Sequence, residues 1–210
     1  MELVLITSGK KDDNEPQMVT QFFEAGLTTL HLRKPNFSTR QLITYIEAIP
    51  EHFRNRIIIH SHHELILKYN LKGIHFTEVH LTRKFAKWWF FRKLKASGKK
   101  IVMTRSYRKL SDVYNQEEIA FDYYLIGTIY NNITNEFYSG FYEQGVNTAL
   151  TKTNKLFIAR GGINEITIEK TFKYGFKGAA LNSQIWKAED PFKRFLDILE
   201  DCKRRGVVID

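Results

Sequence analysis

Cysteine is nearly missing from this 210-residue chain: Cys202 stands alone. An intramolecular disulfide is therefore excluded, and a reducing compartment is expected, the cytoplasm by default. Long apolar runs are missing too. None approaches the ~18–20 residues a membrane helix needs, so no membrane partner is expected. The opening "MELVLITSGKKDDN" lacks a basic leading region and a small-residue cleavage site, which argues against a signal peptide. There is no linker-like or low-complexity tract, which predicts one domain over residues 1–210. RNP, zinc-finger and helix-turn-helix signatures are absent, which weighs against nucleic acid as a partner.

What is present is positive charge. The net charge is +9, which suits phosphorylated ligands or a merely basic surface. Much of the excess lies in "TRKFAKWWFFRKLKASGKK", residues 82–100. This reads as an amphipathic helix with a solvated Lys/Arg face, with Trp88, Trp89, Phe90 and Phe91 partly facing the core.

Short apolar runs recur along the chain: "LVLIT", "TTLHLR", "RIIIHS", "GIHF", "KIVMT", "YYLIG", "LFIAR" and "GAALNS". Between them lie segments with helical spacing. "PQMVTQFFEAG" has Pro16 for a first turn and Gly26 for a C-cap. "STRQLITYIEAI" begins at Ser38, a good N-cap. "KLSDVYNQEEI" offers Ser111 or Asp112 as caps, and "INEITIEKTFKYG" offers Asn164. "DPFKRFLDILEDCKRRG" runs from Pro191 to Gly206 with one apolar face. Continuous apolar strands alternating with helices imply a parallel sheet covered on its outside. About eight such units predict a single (β/α)8 barrel with short loops. The exception is "TIYNNITNEFYSGFYEQG", residues 128–145, which is long enough to serve as a lid or binding loop.

Several stretches carry chemistry. In "ARGGINEI", a strand runs into Gly161-Gly162 and then a helix. Glycines allow close backbone approach, and a helix start offers N–H groups to an anion. "GAALNSQIW" places Asn182 and Ser183 at the end of strand eight. Loops after strands seven and eight of such barrels often build a phosphate site together. In "TLHLRKP", alternation turns His31 and Arg33 the same way. A guanidinium there suits a diphosphate or carboxylate. "GIHFTEVHL" places His75 in strand four and His80 in the following loop. "IIIHSHHELI" ends strand three in His60, Ser61, His62 and His63, of which His62 and His63 are read as solvent-exposed at the start of a helix.

In order and spacing, "AGLTTLHLRKP", "IIIHSHHELI", "GIHFTEVHL", "IVMTRSYRKLSDV", "FDYYLIGTIYNNITN", "LFIARGGI" and "GFKGAALNSQIW" resemble the thiamine-phosphate synthase/thiazole tautomerase family. The resemblance runs from Met1 to about Pro191. It implies a (β/α)8 barrel and, for the synthase, a transferase that couples a pyrimidine diphosphate to a thiazole phosphate with magnesium, releasing diphosphate. By the same resemblance Gly161, Gly162 and Ser183, with Asn182 beside them, fall on the thiazole-phosphate contacts. Ser106 falls on a diphosphate-binding serine, and Arg33 on the arginine of the motif Gln-x-Arg-Glu-Lys. His31 takes that motif's glutamine position, Lys34 its glutamate and Pro35 its lysine. His60 and Ser61 stand where the synthase has Asn-Asp, and His80 aligns with its second metal aspartate. Asn132 and Asn135 align with a threonine and a lysine of the strand-six loop. Both magnesium carboxylates are thus replaced, by Ser61 and His80. Cationic Arg33, Lys34, Arg105 and Arg108 are then expected to screen diphosphate in their stead.

The tautomerase branch resembles "HLR" more closely, but its catalytic histidine aligns with Arg108. A tautomerase-like isomerase therefore stands as the alternative, with His31, His60 or His75 as general acid or base. A barrel that binds phosphorylated ligands without turnover is the third reading. Phosphorylated small molecules are the expected partners in all three, and self-association into a homo-oligomer is compatible with each.

Overall fold

A computed structural model describes residues 1–82, 84–130, 141 and 143–209. Eight parallel strands pair in chain order, and the last closes on the first. They are β1 (Glu2–Ile6), β2 (Thr29–Leu32), β3 (Ile57–Ile59), β4 (Gly73–Phe76), β5 (Val102–Tyr107), β6 (Tyr123–Ile126), β7 (Phe157–Arg160) and β8 (Gly178–Leu181). Each predicted apolar run is one of these strands. Closure is set by Val4 opposite Ala180 on one side and Thr29 on the other.

Alternation along each strand sorts side chains into two cores. Val4, Ile6, Ile58, Tyr123, Leu125, Ile158 and Ala180 fill the barrel. Their strand neighbours pack outward against the helices in a larger cluster that includes Phe22, Phe157 and Phe195. The helices are α1 (Glu15–Glu24), α2 (Thr39–Glu47), α3 (Glu51–Arg54), α4 (Leu65–Lys68), α5 (Glu78–Thr82), α6 (Lys84–Ser97), α7 (Glu143–Thr151), α8 (Thr167–Lys173), α9 (Ser183–Trp186) and α10 (Pro191–Arg204). Phe22 of α1 meets Trp186 and Phe195 edge-on, at 5.8 and 5.1 Å between centroids. These contacts pack α9 and α10 against α1, across the β8–β1 seam.

The expected cap at Ser38 forms, whereas the residue before α8 is Ile166, not Asn164, and makes no side-chain cap. Ser38 and Gln41 make a reciprocal capping box at α2. Asp190 caps α10 through the Lys193 N–H, at 2.9 Å. Asn164 accepts from the N–H groups of Ile166 and Thr167, both at 2.9 Å, just ahead of α8.

Three expectations change. "KLSDVYNQEEI" forms a single 3-10 turn, Leu110–Tyr114, instead of a helix. Just beyond it, Glu117 turns back to accept from Arg105 and the Tyr107 hydroxyl, which holds the chain away from helical continuation. In α6, Phe90 and Phe91 pack on the core, but Trp88 and Trp89 stay about half exposed, with the Arg92 guanidinium over both rings. Helix α4 begins only at Leu65, so His62 and His63 lie in the turn before it. His62 is held there by Thr39 and the Phe37 carbonyl, and half-buried His63 by the His75 carbonyl. Among the described residues, no helix is long and apolar enough to cross a membrane.

Candidate functional site

The C-terminal ends of the strands open into a cavity of about 380 Å³. Its wall on the β7–β8 side is backbone. Strand β7 ends at Arg160, and Gly161 and Gly162 follow with φ of +89° and +70°. Both values lie where a Cβ is strained. At Gly161 an added Cβ would also sit 2.6 Å from Thr128 Cγ2. The sequence therefore needs glycine to carry the chain past the mouth at close range. On β8, Asn182 commits its amide nitrogen to the carbonyls of Ile6 and Thr7, at 2.9 and 3.0 Å. That latches the loop to β1 and sets Ser183 on the cavity rim at the start of α9.

Arg33, Arg108 and Arg160 line the same cavity, and among its described lining residues there is no carboxylate. Three guanidinium groups around a concave wall of glycine backbone would suit an anion, because each offers charge and a fork of donors. The volume falls within the usual range for small-molecule sites. Arg33, Arg108, Gly161, Gly162, Asn182 and Ser183, picked out from sequence, are thus brought together. Arg160 and Thr128 were missed. Arg160 was legible in "FIAR", since alternation turns it the same way as Ile158, which faces the barrel interior.

On the β2–β4 side, polar side chains enter the barrel itself. His31 is fully buried; its Nε2 lies 2.6 Å from the Tyr123 hydroxyl and its Nδ1 2.9 Å from His60 Nε2. His60 stacks on His75, with centroids 4.1 Å apart. His75 Nδ1 meets Thr104 Oγ1 at 2.8 Å, and its Nε2 meets Ser106 Oγ at 3.0 Å. Thr104 donates to the Ile74 carbonyl. Its oxygen must then accept from His75 Nδ1–H, which leaves Nε2 to accept from the Ser106 hydroxyl.

Burial, with the nearby charges of Lys72 and Arg160, pushes His31 down to about 3. Burial and the neighbouring rings hold His60 and His75 well below the ordinary histidine value. All three rings are therefore neutral at physiological pH. Burial raises the Tyr123 phenol, which stays protonated.

Other sequence candidates go elsewhere. Lys34 was expected at the diphosphate, but it is buried and bonds Glu15 and the Lys10 carbonyl, both at 2.6 Å. Tyr45 bonds the other Glu15 oxygen at 2.8 Å. The lysine turns inward because burying Glu15 unpaired would be costly. Arg105 points out of the barrel, paired with Glu78 and Glu117 and set over the Tyr107 ring. His80 accepts from the Thr77 N–H in its own turn and packs 4.3 Å from the His63 ring. Ser61 is half-buried beside His60. His80, one of the two positions equivalent to the metal aspartates, does not join the group of His, Cys, Asp and Glu side chains that could hold an ion, which among the described residues is His31, His60 and His75. Asn132 and Asn135 lie outside the described residues. The described donors do not fit magnesium, which takes oxygen ligands in near-octahedral array; three imidazoles supply only nitrogen.

The comparisons agree with this architecture. The chain is 22% identical over 190 residues to thiamine-phosphate synthase 1 of Aquifex aeolicus, covering 88% of this chain and 85% of that protein. It is 23% identical over 194 residues to thiamine-phosphate synthase of Vibrio campbellii, covering 90% and 92%. The crystal structure of thiamine phosphate pyrophosphorylase from Bacteroides thetaiotaomicron superposes with a TM-score of 0.74 at 23% identity, over 98% of both chains. The enzyme of the same name from Pyrococcus furiosus gives 0.72 at 17% identity, over 97% and 96%. These two likenesses establish the fold. Residues 3–185 match the model of the thiamine monophosphate synthase family, and the chain belongs to that family.

Proposed function

We propose that this protein is a thiamine-phosphate synthase that holds its anionic substrates with arginine and glycine backbone instead of a magnesium–carboxylate centre. The observation that carries this reading is the cavity at the β7–β8 mouth, with three guanidinium groups and no carboxylate among its described lining residues. In the reaction, the bond from the pyrimidine methylene carbon to diphosphate breaks, and that carbon bonds the thiazole nitrogen. Diphosphate leaves with the bonding pair. The protein's task is to place the two substrates together and to stabilise charge on the departing group.

In this reading Gly161, Gly162 and Ser183 hold the thiazole phosphate. Arg33 and Arg108, across the cavity, take the diphosphate, and Arg160 serves both anions. Asn182 acts through the backbone, keeping the β8 loop against β1. Ser106, expected at the diphosphate, is not among the described residues lining this cavity; its hydroxyl donates to His75.

The test is multiple-turnover formation of thiamine phosphate from both substrates, with and without magnesium. Turnover that survives chelation supports the arginine site. No product under any condition overturns the proposal. A specific observation favours one second reading: the chain from Ser106 through His75 to Thr104 suits proton movement, as a tautomerase would need. Solvent-deuterium exchange into a carboxylated thiazole phosphate, without coupling activity, would select it. Tight binding of thiazole phosphate without either reaction would mark a ligand-binding barrel.

A further inference from the structure

We propose that His31, His60 and His75 form a site for one divalent transition metal of the zinc class inside the barrel. One ring nitrogen from each histidine lies within 4.8 Å of the others. Nitrogen atoms sharing a tetrahedral zinc at about 2.0–2.1 Å sit about 3.3 Å apart. His31 Nδ1 and His60 Nε2 are already 2.9 Å apart. His60 is the half-buried member of the three, so a modest rotation of its ring closes the triangle.

A second observation is independent of this convergence. Each of the two fully enclosed histidines has its other ring nitrogen anchored by a hydroxyl. Tyr123 holds His31 Nε2 at 2.6 Å, and Thr104 holds His75 Nδ1 at 2.8 Å. Metal-bound histidines are oriented in this way, with the far nitrogen bonded so that the near one faces the ion. His31 then presents Nδ1, and His60 and His75 present Nε2. Ser106 Oγ, 3.0 Å from His75 Nε2, marks where a fourth, exchangeable oxygen ligand would enter from the mouth.

The donor set decides the metal. Three neutral imidazoles favour zinc, cobalt, nickel or copper over magnesium or calcium. Lys72 and Arg160 act electrostatically on His31, and such charges weaken any cation. An ion bound mainly by electrostatics is disfavoured there, and one that forms strong nitrogen bonds is retained. The inference stands apart from the synthase reading, because it concerns the rings alone.

The experiment is a titration of chelator-treated, tag-free protein with cobalt(II), read by its visible absorption, without substrate. The expected result is one cobalt per chain, displaced by zinc and unaffected by excess magnesium. His60→Ala, at the half-buried position, should weaken binding at least tenfold, with circular dichroism confirming the fold. Tyr123→Phe keeps all three rings and should weaken binding less. His52→Ala, on α3 away from the cluster, should leave it unchanged. No absorption at stoichiometric cobalt, displacement by magnesium, or parent-like affinity in folded His60→Ala would overturn the proposal.

Discussion

On its β7–β8 side the barrel mouth is made of backbone and charge: Gly161, Gly162, Arg160 and the rim at Ser183. On its β2–β4 side the barrel carries neutral rings bonded to one another and to hydroxyls: His31, His60 and His75 with Tyr123, Thr104 and Ser106. The first arrangement suits anions in many orientations, because guanidinium groups and a glycine turn bring positive potential at little steric cost. The second is built for directed contacts, because each ring nitrogen has an assigned partner. If the proposed function holds, the contrast accounts for a family member that binds phosphorylated substrates without the expected metal carboxylates. On the proposed reading the charge of that site resides on the arginines, and the donors gathered on the other side are ring nitrogens in place of carboxylate oxygens.

The comparison can be broken at Lys34. If that lysine belongs to the scaffold and not to the anion site, Lys34→Ala leaves Glu15 buried and unpaired. The expected loss is about 3–5 kcal/mol of stability, measured by urea denaturation, with KM nearly unchanged in the folded fraction. A raised KM at full stability would return Lys34 to the ligand. Next in size is Arg160→Ala, which removes a cation from the β7 side. Its expected cost is about 2–4 kcal/mol in kcat/KM, a factor of roughly 30 to 10³, with stability preserved. Parent-like kinetics would show that the β7 side does not hold the anions.

The histidine side is sharpened by pH. His31 binds its proton at about 3 in the folded chain, against 6.5 for the free side chain. Between those values the unfolded chain binds more protons, so acid favours unfolding. In metal-free protein, stability should be flat above pH 6.5 on this account. Below it, His31 alone should remove about 1.4 kcal/mol per pH unit. A stability curve unchanged between pH 7 and 4.5 would contradict the neutral, buried ring. The smallest effect is expected from Arg105→Ala. This arginine is bound to Glu78 and Glu117 outside the barrel, so kcat/KM should stay within twofold. A tenfold drop would place it in the site.

What was legible in the sequence follows the same division. The strands could be read because each is a short apolar run between helical segments, and the cap at Ser38 because it acts within one turn. The glycine–arginine wall was largely readable too, since Gly161, Gly162 and Ser183 are local features of two adjacent strand ends. The histidines of the cluster could be named, as candidate acids or bases, but not their convergence on one another and on Tyr123 and Thr104. His31 and Tyr123 are 92 residues apart, and only closure of the barrel brings them into contact. Lys34 misled for a related reason: the carboxylate that draws it inward, Glu15, lies 19 residues earlier on another element. The short turn at Leu110–Tyr114 escaped because side-chain bonds of Glu117 override a helical pattern. Arg160 is different, because period-two alternation in β7 already pointed it inward.

On the proposed function the β7–β8 cavity holds the phosphorylated substrate. A crystal structure with thiazole phosphate and diphosphate tests it most directly. The expected result is phosphate density against Gly162 and Ser183 within hydrogen-bonding reach of Arg160, and diphosphate at Arg33 and Arg108. Phosphate bound elsewhere, with this cavity holding only solvent, would contradict it.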